Sequence, residues 1–413
     1  MSIRNQRPDQ TSHCSIRTEP ESRPSRSWTA RLCRIILLTS ALLLLPFGLQ
    51  AGRMPDQPPL KVMAGQMIMA GFRGLSVKPD SPVTRWIEGM HLGGVILFDR
   101  DLAADSQTRN VRSPKQLRRL TRGLQSRSRI PLLMAIDQEG GRVARLTPRH
   151  GFPDRPAAAE LGRANDPSLT RSTAQTIGQT LSQAGINLNL APVVDVNVNP
   201  DNPAIGRLDR SFGADPDLVA EQARAFIQGL HHAGVLACLK HFPGQGSARQ
   251  DSHQGFTSIS RSWSRQELQP YSQLFADGFS DAVMVGHLFN RRLDQDRPAT
   301  LSRPTIQGLL RRKLGFDGLV ITDDLQMQAI TEHFSLKQTV IGAVRAGADM
   351  LLFGNNLVYQ PNIVERAIDI LLRAVDEKEL SKARLRRSYH RIRRLKKRLP
   401  TGSAHKASNN AGL

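Results

Sequence analysis

From residue 60 onward, eight short apolar runs alternate with amphipathic stretches of helical spacing. The runs occupy 66–71, 94–98, 131–137, 187–195, 236–241, 282–287, 318–323 and 348–353, and the helical stretches between them include 168–185, 215–233, 302–314 and 335–346. Apolar runs this short read as buried strands, and helices between them bring successive strands into parallel pairing. Eight such units predict an α/β fold, a (β/α)₈ TIM-type barrel spanning 60–400 as a single domain with loop insertions. An open doubly wound sheet is the rival, but no GxGxxG fingerprint supports it.

The 413 residues are 39% hydrophobic and 23% charged, enough apolar material for a sizeable core. This balance excludes disordered, collagen-like and multi-span membrane classes. Cys14, Cys33 and Cys238 form neither a disulfide framework nor a zinc-ligand spacing. The net charge of +21 is concentrated at the two ends: residues 1–34 hold seven Arg against three acids, and residues 381–413 hold eleven Lys or Arg and no acid. The body is only mildly basic and carries no recognisable nucleic-acid module, so no nucleic-acid partner is expected.

Behind the basic region 1–34, residues 35–49 read IILLTSALLLLPFGL, flanked by Arg31 and Arg34 and followed by Gln50-Ala51-Gly52. A charged flank, an apolar core and small residues make 35–51 a signal peptide or an uncleaved signal-anchor. The run falls short of the roughly 20 residues of a comfortable membrane span. It points to export to the periplasm or cell envelope, with membrane association through 35–49. Cleavage near Ala51 would leave Cys238 as the one cysteine. Residues 401–413 read as a disordered tail.

Asp137, Asp195, His241, His287 and Asp323 each end an apolar run. In a barrel those positions face the C-terminal end of the strands, where chemistry is housed. Asp195 is given no role, because the Asn-rich stretch after it reads equally well as a turn. Asp323 and Asp324 follow GLVIT, and a carboxylate at a strand mouth can act as nucleophile or stabiliser in glycosyl transfer. The plainer alternative is a helix N-cap, which suits Asp324 better than Asp323.

The stretch 240–255, KHFPGQGSARQDSHQG, places Lys240 and His241 at a strand end and Asp251 and His253 on a Pro–Gly-rich loop. A carboxylate beside an imidazole fixes its tautomer and raises its pKa from about 6.5, making a proton donor near neutral pH. A surface turn is the plainer alternative. His241, His253 and His287 match no familiar metal spacing, so no metal is expected. AIDQEGGRVARL (135–146) supplies Asp137, Glu139, Arg142 and Arg145, and DRSFG (209–213) adds Arg210. Asp137 and Arg145 can bind sugar hydroxyls; salt-bridged loops are the alternative for both stretches. Near the C-terminus Leu385, Tyr389, Ile392, Leu395 and Leu399 mark an amphipathic helix with a heavily basic outer face. It reads as a closing helix docked on the barrel, or as an adhesive surface for anionic lipid or polymer.

These segments resemble the β-N-acetylglucosaminidases of glycoside hydrolase family 3, the single-barrel branch that acts on peptidoglycan fragments. The matching stretches are AGQMIMAGF (64–72), GGVILF (93–98), AIDQEGGRVARL, DRSFG, KHFPGQG…DSH (240–253), GFDGLVITDDLQM (315–327) and AGADMLLFGNN (346–356). The resemblance implies a (β/α)₈ barrel and a retaining exo-β-N-acetylglucosaminidase that needs no cofactor. Its substrates would be peptidoglycan fragments or chitooligosaccharides, and the protein would act as a monomer. On the matching positions Asp323 would be the nucleophile and His253, oriented by Asp251, the acid/base. Asp137, Arg145, Arg210, Lys240 and His241 would bind the sugar. The family usually has GHGD where this chain has Gly244-Gln245-Gly246-Ser247. The rivals are a family 3 β-glucosidase, an N-acetylglucosaminide phosphorylase and, from another class, a catalytically degenerate envelope sugar-binding protein.

Overall fold

The computed structural model describes residues 58–251 and 255–400. The basic region 1–34, the apolar segment 35–51, His253 and the tail 401–413 lie outside the described residues.

Each apolar run supplies a strand: β1 (Ile68–Gly71), β2 (Gly94–Leu97), β3 (Leu133–Ile136), β4 (Leu188–Asn189), β5 (Leu236–Phe242), β6 (Ala282–Val285), β7 (Leu319–Thr322) and β8 (Leu351–Phe353). All eight are buried along their whole length. They pair in parallel in the order β7-β6-β5-β4-β3-β2-β1-β8. A parallel bridge between Ile321 and Met350 joins the two outermost strands, where Met350 N donates to Val320 O at 3.0 Å. The sheet is therefore a nearly closed barrel, and the open-sheet rival is set aside.

Helices cover the outside: α1 (Leu60–Gln66), α2 (Pro82–Met90), α3 (Pro114–Ser126), α4 (Pro167–Gln183), α5 (Pro216–His232), α6 (Gln269–Ala276), a π-type α7 (Pro304–Lys313), α8 (Leu336–Ala346), α9 (Ile363–Asp376) and α10 (Lys382–Lys396). Local chemistry sets their starts. Ser113, Asp166 and Asp215 each precede a proline at the first helical position and accept a backbone N–H of the first turn. The side-chain oxygen satisfies a donor the helix cannot, and proline lacks the N–H that would be orphaned there. Ser335 and Gln338 form a capping box at α8. The helical stretches read at 168–185, 215–233, 302–314 and 335–346 agree with α4, α5, α7 and α8 to within two residues at each end.

α10 docks as a closing helix across the N-terminal ends of the strands. Leu385, Ile392 and Leu395 are buried in the core, with Tyr389 and Leu399 packed at its edge. Its basic residues do not all face outward, which corrects the simple amphipathic picture. Arg384 turns in to donate to Val344 O (2.9 Å) and Ala348 O (2.6 Å), closing the C-terminus of α8. Lys396 Nζ donates to Gln66 Oε1 (2.8 Å) and Gly93 O (2.6 Å), and burial holds this ammonium well below its ordinary pKa. Asp349, fully buried ahead of β8, accepts from Arg311 Nη2 at 2.6 Å and Ser388 Oγ at 2.8 Å.

Replacing Asp349 with Ala should cost about 3–5 kcal/mol, because Arg311 and Arg384 would keep buried charge without its counter-ion. Urea unfolding measures this; a loss below about 1 kcal/mol would mean that the surrounding carbonyls suffice.

Candidate active site

A cavity of about 460 Å³ opens at the C-terminal ends of the strands. Asp137, Arg145, Arg210, Lys240, His241 and Asp323 all line it, from segments up to 186 positions apart in the chain. Its walls alternate these polar groups with Ile96, Phe98, Leu190, Met284, Met327 and Leu352. Such a mixture presents apolar faces and directed hydrogen bonds to one ligand.

The floor is an ion cluster. Lys240 Nζ lies 2.8 Å from Asp137 Oδ1 and 2.7 Å from Glu139 Oε1. Arg210 reaches the same glutamate with two parallel bonds of 2.8 Å, from Nε and Nη2, and donates through Nη1 to Ala204 O at 2.7 Å. Arg145 Nη2 stands 3.5 Å from Asp137 Oδ2. The salt-bridged alternative for these loops is therefore present, and the same side chains line the cavity. Burial alone would raise the Asp137 carboxyl, but Lys240 and Arg145 outweigh it and hold that group far below the usual carboxylate range. Burial likewise opposes ionisation of Glu139, yet Arg210 and Lys240 bring it down to about 2. Burial would lower Lys240, and its two carboxylates raise it instead. The cluster stays charged across the neutral range.

Local structure aims these groups. After β3 the chain folds into a small hairpin, where Gln138 pairs with Ala144 and Gly140 with Val143. The Gln138 side chain accepts from Arg145 N (3.0 Å) and Leu146 N (2.9 Å), fixing where the Arg145 side chain starts. Asn189 on β4 clamps the Gln138 backbone through both its amide atoms.

Lys240 and His241 are consecutive, and in a regular strand their side chains would point to opposite faces. The β5–β6 register shifts between Leu239 and Phe242, and both side chains reach the cavity. Such an irregularity is a recognised way to re-aim a side chain.

Asp195, left without a role in the sequence reading, orients His241. Its Oδ2 accepts from His241 Nδ1 at 2.7 Å, and its Oδ1 accepts from the backbone N–H of His241 (3.1 Å) and Gln245 (2.8 Å). His241 Nε2 then lies 3.5 Å from Arg210 Nη2. The Asn-rich stretch is also a turn, since Asn202 Oδ1 accepts from Ala204 N and Ile205 N. The other Asn202 amide atom donates to Gln245 O at 2.6 Å. His287 Nε2 donates to Asp324 O (2.8 Å) and Nδ1 meets Thr300 Oγ1 (2.7 Å), so this ring braces the β7 end.

Asp323 follows β7 and is half-buried; its Oδ1 accepts from Asp324 N at 2.8 Å. Asp324 is not the helix N-cap expected of it, because the next helical turn starts at Gln328 behind Met327. Its Oδ1 instead accepts from Gln326 N (3.0 Å) and Gly354 N (2.8 Å), tying the β7 and β8 ends together, and Asp324 also borders the cavity. Asp251 is half-buried and is not among the residues that line the cavity. His253, its partner in the sequence reading, lies outside the described residues.

The Glycosyl hydrolase family 3 N-terminal domain model matches residues 60–395, nearly the whole barrel. The chain belongs to glycosyl hydrolase family 3. It is 33% identical over 389 residues to beta-hexosaminidase A of Pseudoalteromonas piscicida, an alignment covering 85% of this chain and 63% of that one. The fold matches a family 3 beta-N-acetylglucosaminidase from Paenibacillus with a TM-score of 0.75 and 37% identity, over 85% of this chain and 66% of that one. It also matches the beta-N-acetylhexosaminidase of Beutenbergia cavernae at a TM-score of 0.73 and 30% identity, over 82% of this chain and 98% of that one. The chain thus spans less than two thirds of the first two relatives' length.

Gln245 and Ser247 stand where the resemblance read from the sequence sets His and Asp. Both are buried. Ser247 donates to Glu267 from its hydroxyl (2.6 Å, Oε1) and its backbone N–H (3.2 Å, Oε2). An aspartate at 247 would oppose one carboxylate with another; serine supplies a donor. Glu267 had no signal in the sequence, being one acid in a polar stretch. Burial pushes it up to about 7, with the Asp195 charge adding to the rise and the Ser247 bonds opposing it.

Glu267 gives a pH signature. Between its ordinary value of 4.5 and about 7, the folded protein keeps a proton that the unfolded chain releases. Its contribution to stability therefore falls as pH rises through that window and is flat above it. Glu267→Gln keeps the hydrogen-bonding shape and removes the titration. Urea unfolding from pH 5 to 8 should show the variant gaining on the parent protein up to about pH 7; a constant difference would rule out the raised value.

Proposed function

We propose that this chain is a retaining exo-β-N-acetylglucosaminidase acting on terminal β-linked N-acetylglucosamine in peptidoglycan fragments or chitooligosaccharides. The observation that carries the reading is that Asp323 shares one cavity with the Asp137–Lys240–Glu139–Arg210 cluster and His241. The names of the similar proteins and the order of the matching motifs support the same substrate class. A cavity of about 460 Å³ suits a terminal sugar better than a long chain.

In this reading an Asp323 oxygen attacks the anomeric carbon while His253, oriented by Asp251, protonates the departing glycosidic oxygen. The glycosyl–Asp323 ester is then hydrolysed by water whose proton the neutral imidazole takes. Asp137 and His241 accept hydrogen bonds from the sugar hydroxyls. Arg145, Arg210 and Lys240 donate them, held in place by their carboxylate partners. In this reading one imidazole serves as acid in the first step and as base in the second.

An aryl N-acetyl-β-glucosaminide should be cleaved with the β-anomer appearing first by NMR; initial α-product would refute retention. Asp323→Ala should abolish turnover. Asp324→Ala should keep turnover and lose about 1 kcal/mol through the broken turn. Equal loss of activity in both variants would leave the nucleophile at either position.

Arg100, Arg142 and Arg149 also border the cavity, and this cationic rim favours one second reading, in which phosphate replaces water as acceptor. Product formation that rises with added phosphate and yields a sugar phosphate would decide for it. The apolar segment 35–51 supports export to the periplasm or envelope, and mass spectrometry of the mature N-terminus tests that.

A further inference from the structure

The end of the barrel opposite the cavity presents a surface that the proposed reaction leaves unused. α10 lies across it: Arg391 and Arg394 reach Asp317 ahead of β7, Arg398 reaches Asp281 ahead of β6, and Lys396 reaches Gln66 and Gly93 ahead of β1 and β2. α1 packs beside α10. Four of the acids at this end are already engaged: Asp317, Asp281 and Asp349 with arginines, and Glu88 with Arg127. That leaves an excess of cations. Among the described residues, Lys61, Arg129, Arg387, Arg393 and Lys397 make no ion pair, and all but the half-buried Arg393 are exposed.

Two further observations fall at the same end. A cavity of about 250 Å³ is lined there by Gln66, His91, Arg127, Ser128 and Arg129, with the Glu88–Arg127 pair at its edge. The chain also joins the described fold here, through α1. Only residues 50–59 separate the apolar run 35–49 from Leu60. Ten residues span at most about 35 Å when fully extended.

We propose that this end of the barrel is a docking surface for anionic lipid headgroups, with α10 and α1 resting on the bilayer and the cavity facing away from it. The charge complementarity is direct, and the short connection keeps the surface within reach of a bilayer entered by 35–49. Basic side chains at a lipid surface add their contributions and lose them to salt.

The test uses the full chain and vesicles of phosphatidylcholine alone or with 30% phosphatidylglycerol (about one lipid in three, enough for a negative surface potential). Binding should be at least about tenfold tighter to the anionic vesicles, and the preference should collapse in about 0.5 M NaCl. The variant K61S/R129S/R387S/K397S should lose most of that preference while keeping its thermal unfolding midpoint. Whatever 35–49 contributes is common to parent and variant, so the comparison isolates the folded surface. Should the quadruple variant fail to fold, R387S/K397S is read the same way, with about a threefold loss expected. An unchanged preference in the folded variant would overturn the proposal. So would equal competition by a soluble polyanion such as heparin at matched charge, which would assign the surface to a glycopolymer.

Discussion

The cavity depends on one buried ammonium. Lys240 Nζ, on a side chain only 2% exposed, stands between the carboxylates of Asp137 and Glu139. Moving a charge out of water costs several kcal/mol even after relaxation, so a lone lysine here would shed its proton. Two carboxylates reverse that preference, and Arg210 in turn keeps Glu139 ionised. The cluster therefore links β5, the hairpin after β3 and the loop after β4 by an interaction that no one member sustains alone. Arg210 and Lys240 are therefore held at the cavity wall by protein groups alone.

Beyond that floor, the loop after β5 is braced at each point where it is buried. Asp195 receives Gln245 N, Asn202 donates to Gln245 O, Glu267 receives Ser247, and Trp263 Nε1 donates to Pro243 O at 2.9 Å. Further along the same loop, Asp251 is half-buried. The opposite end of the barrel is organised around a different buried charge, Asp349, whose arginine partners lock α10 to the strands. The Asp349 anchor and the candidate cavity thus occupy opposite ends of the parallel barrel.

Much of this was legible before any fold was known. The eight runs stood out because a strand buried on both faces has no reason to alternate polarity. Asp137, His241 and Asp323 stood out because each interrupts such a run. Asp195 was visible for the same reason but carried no role, since its partner, His241, is 46 positions away. Glu267 left no trace, because only folding buries it beneath Ser247. Arg384 and Lys396 looked like parts of an outer basic face, and only the packing of α10 against α8 and α1 turned them inward.

The sequence by itself determined the alternation of strand and helix, the family motifs and the kind of side chain at each strand end. These are set by local periodicity and by chemistry written residue by residue. The tertiary structure decided which of those side chains meet. The shifted register in β5 sends both Lys240 and His241 into one cavity, and the nearly closed sheet brings Asp323 round to face Asp137. Spacing along a chain carries no record of either, because both arise from the pairing of distant strands.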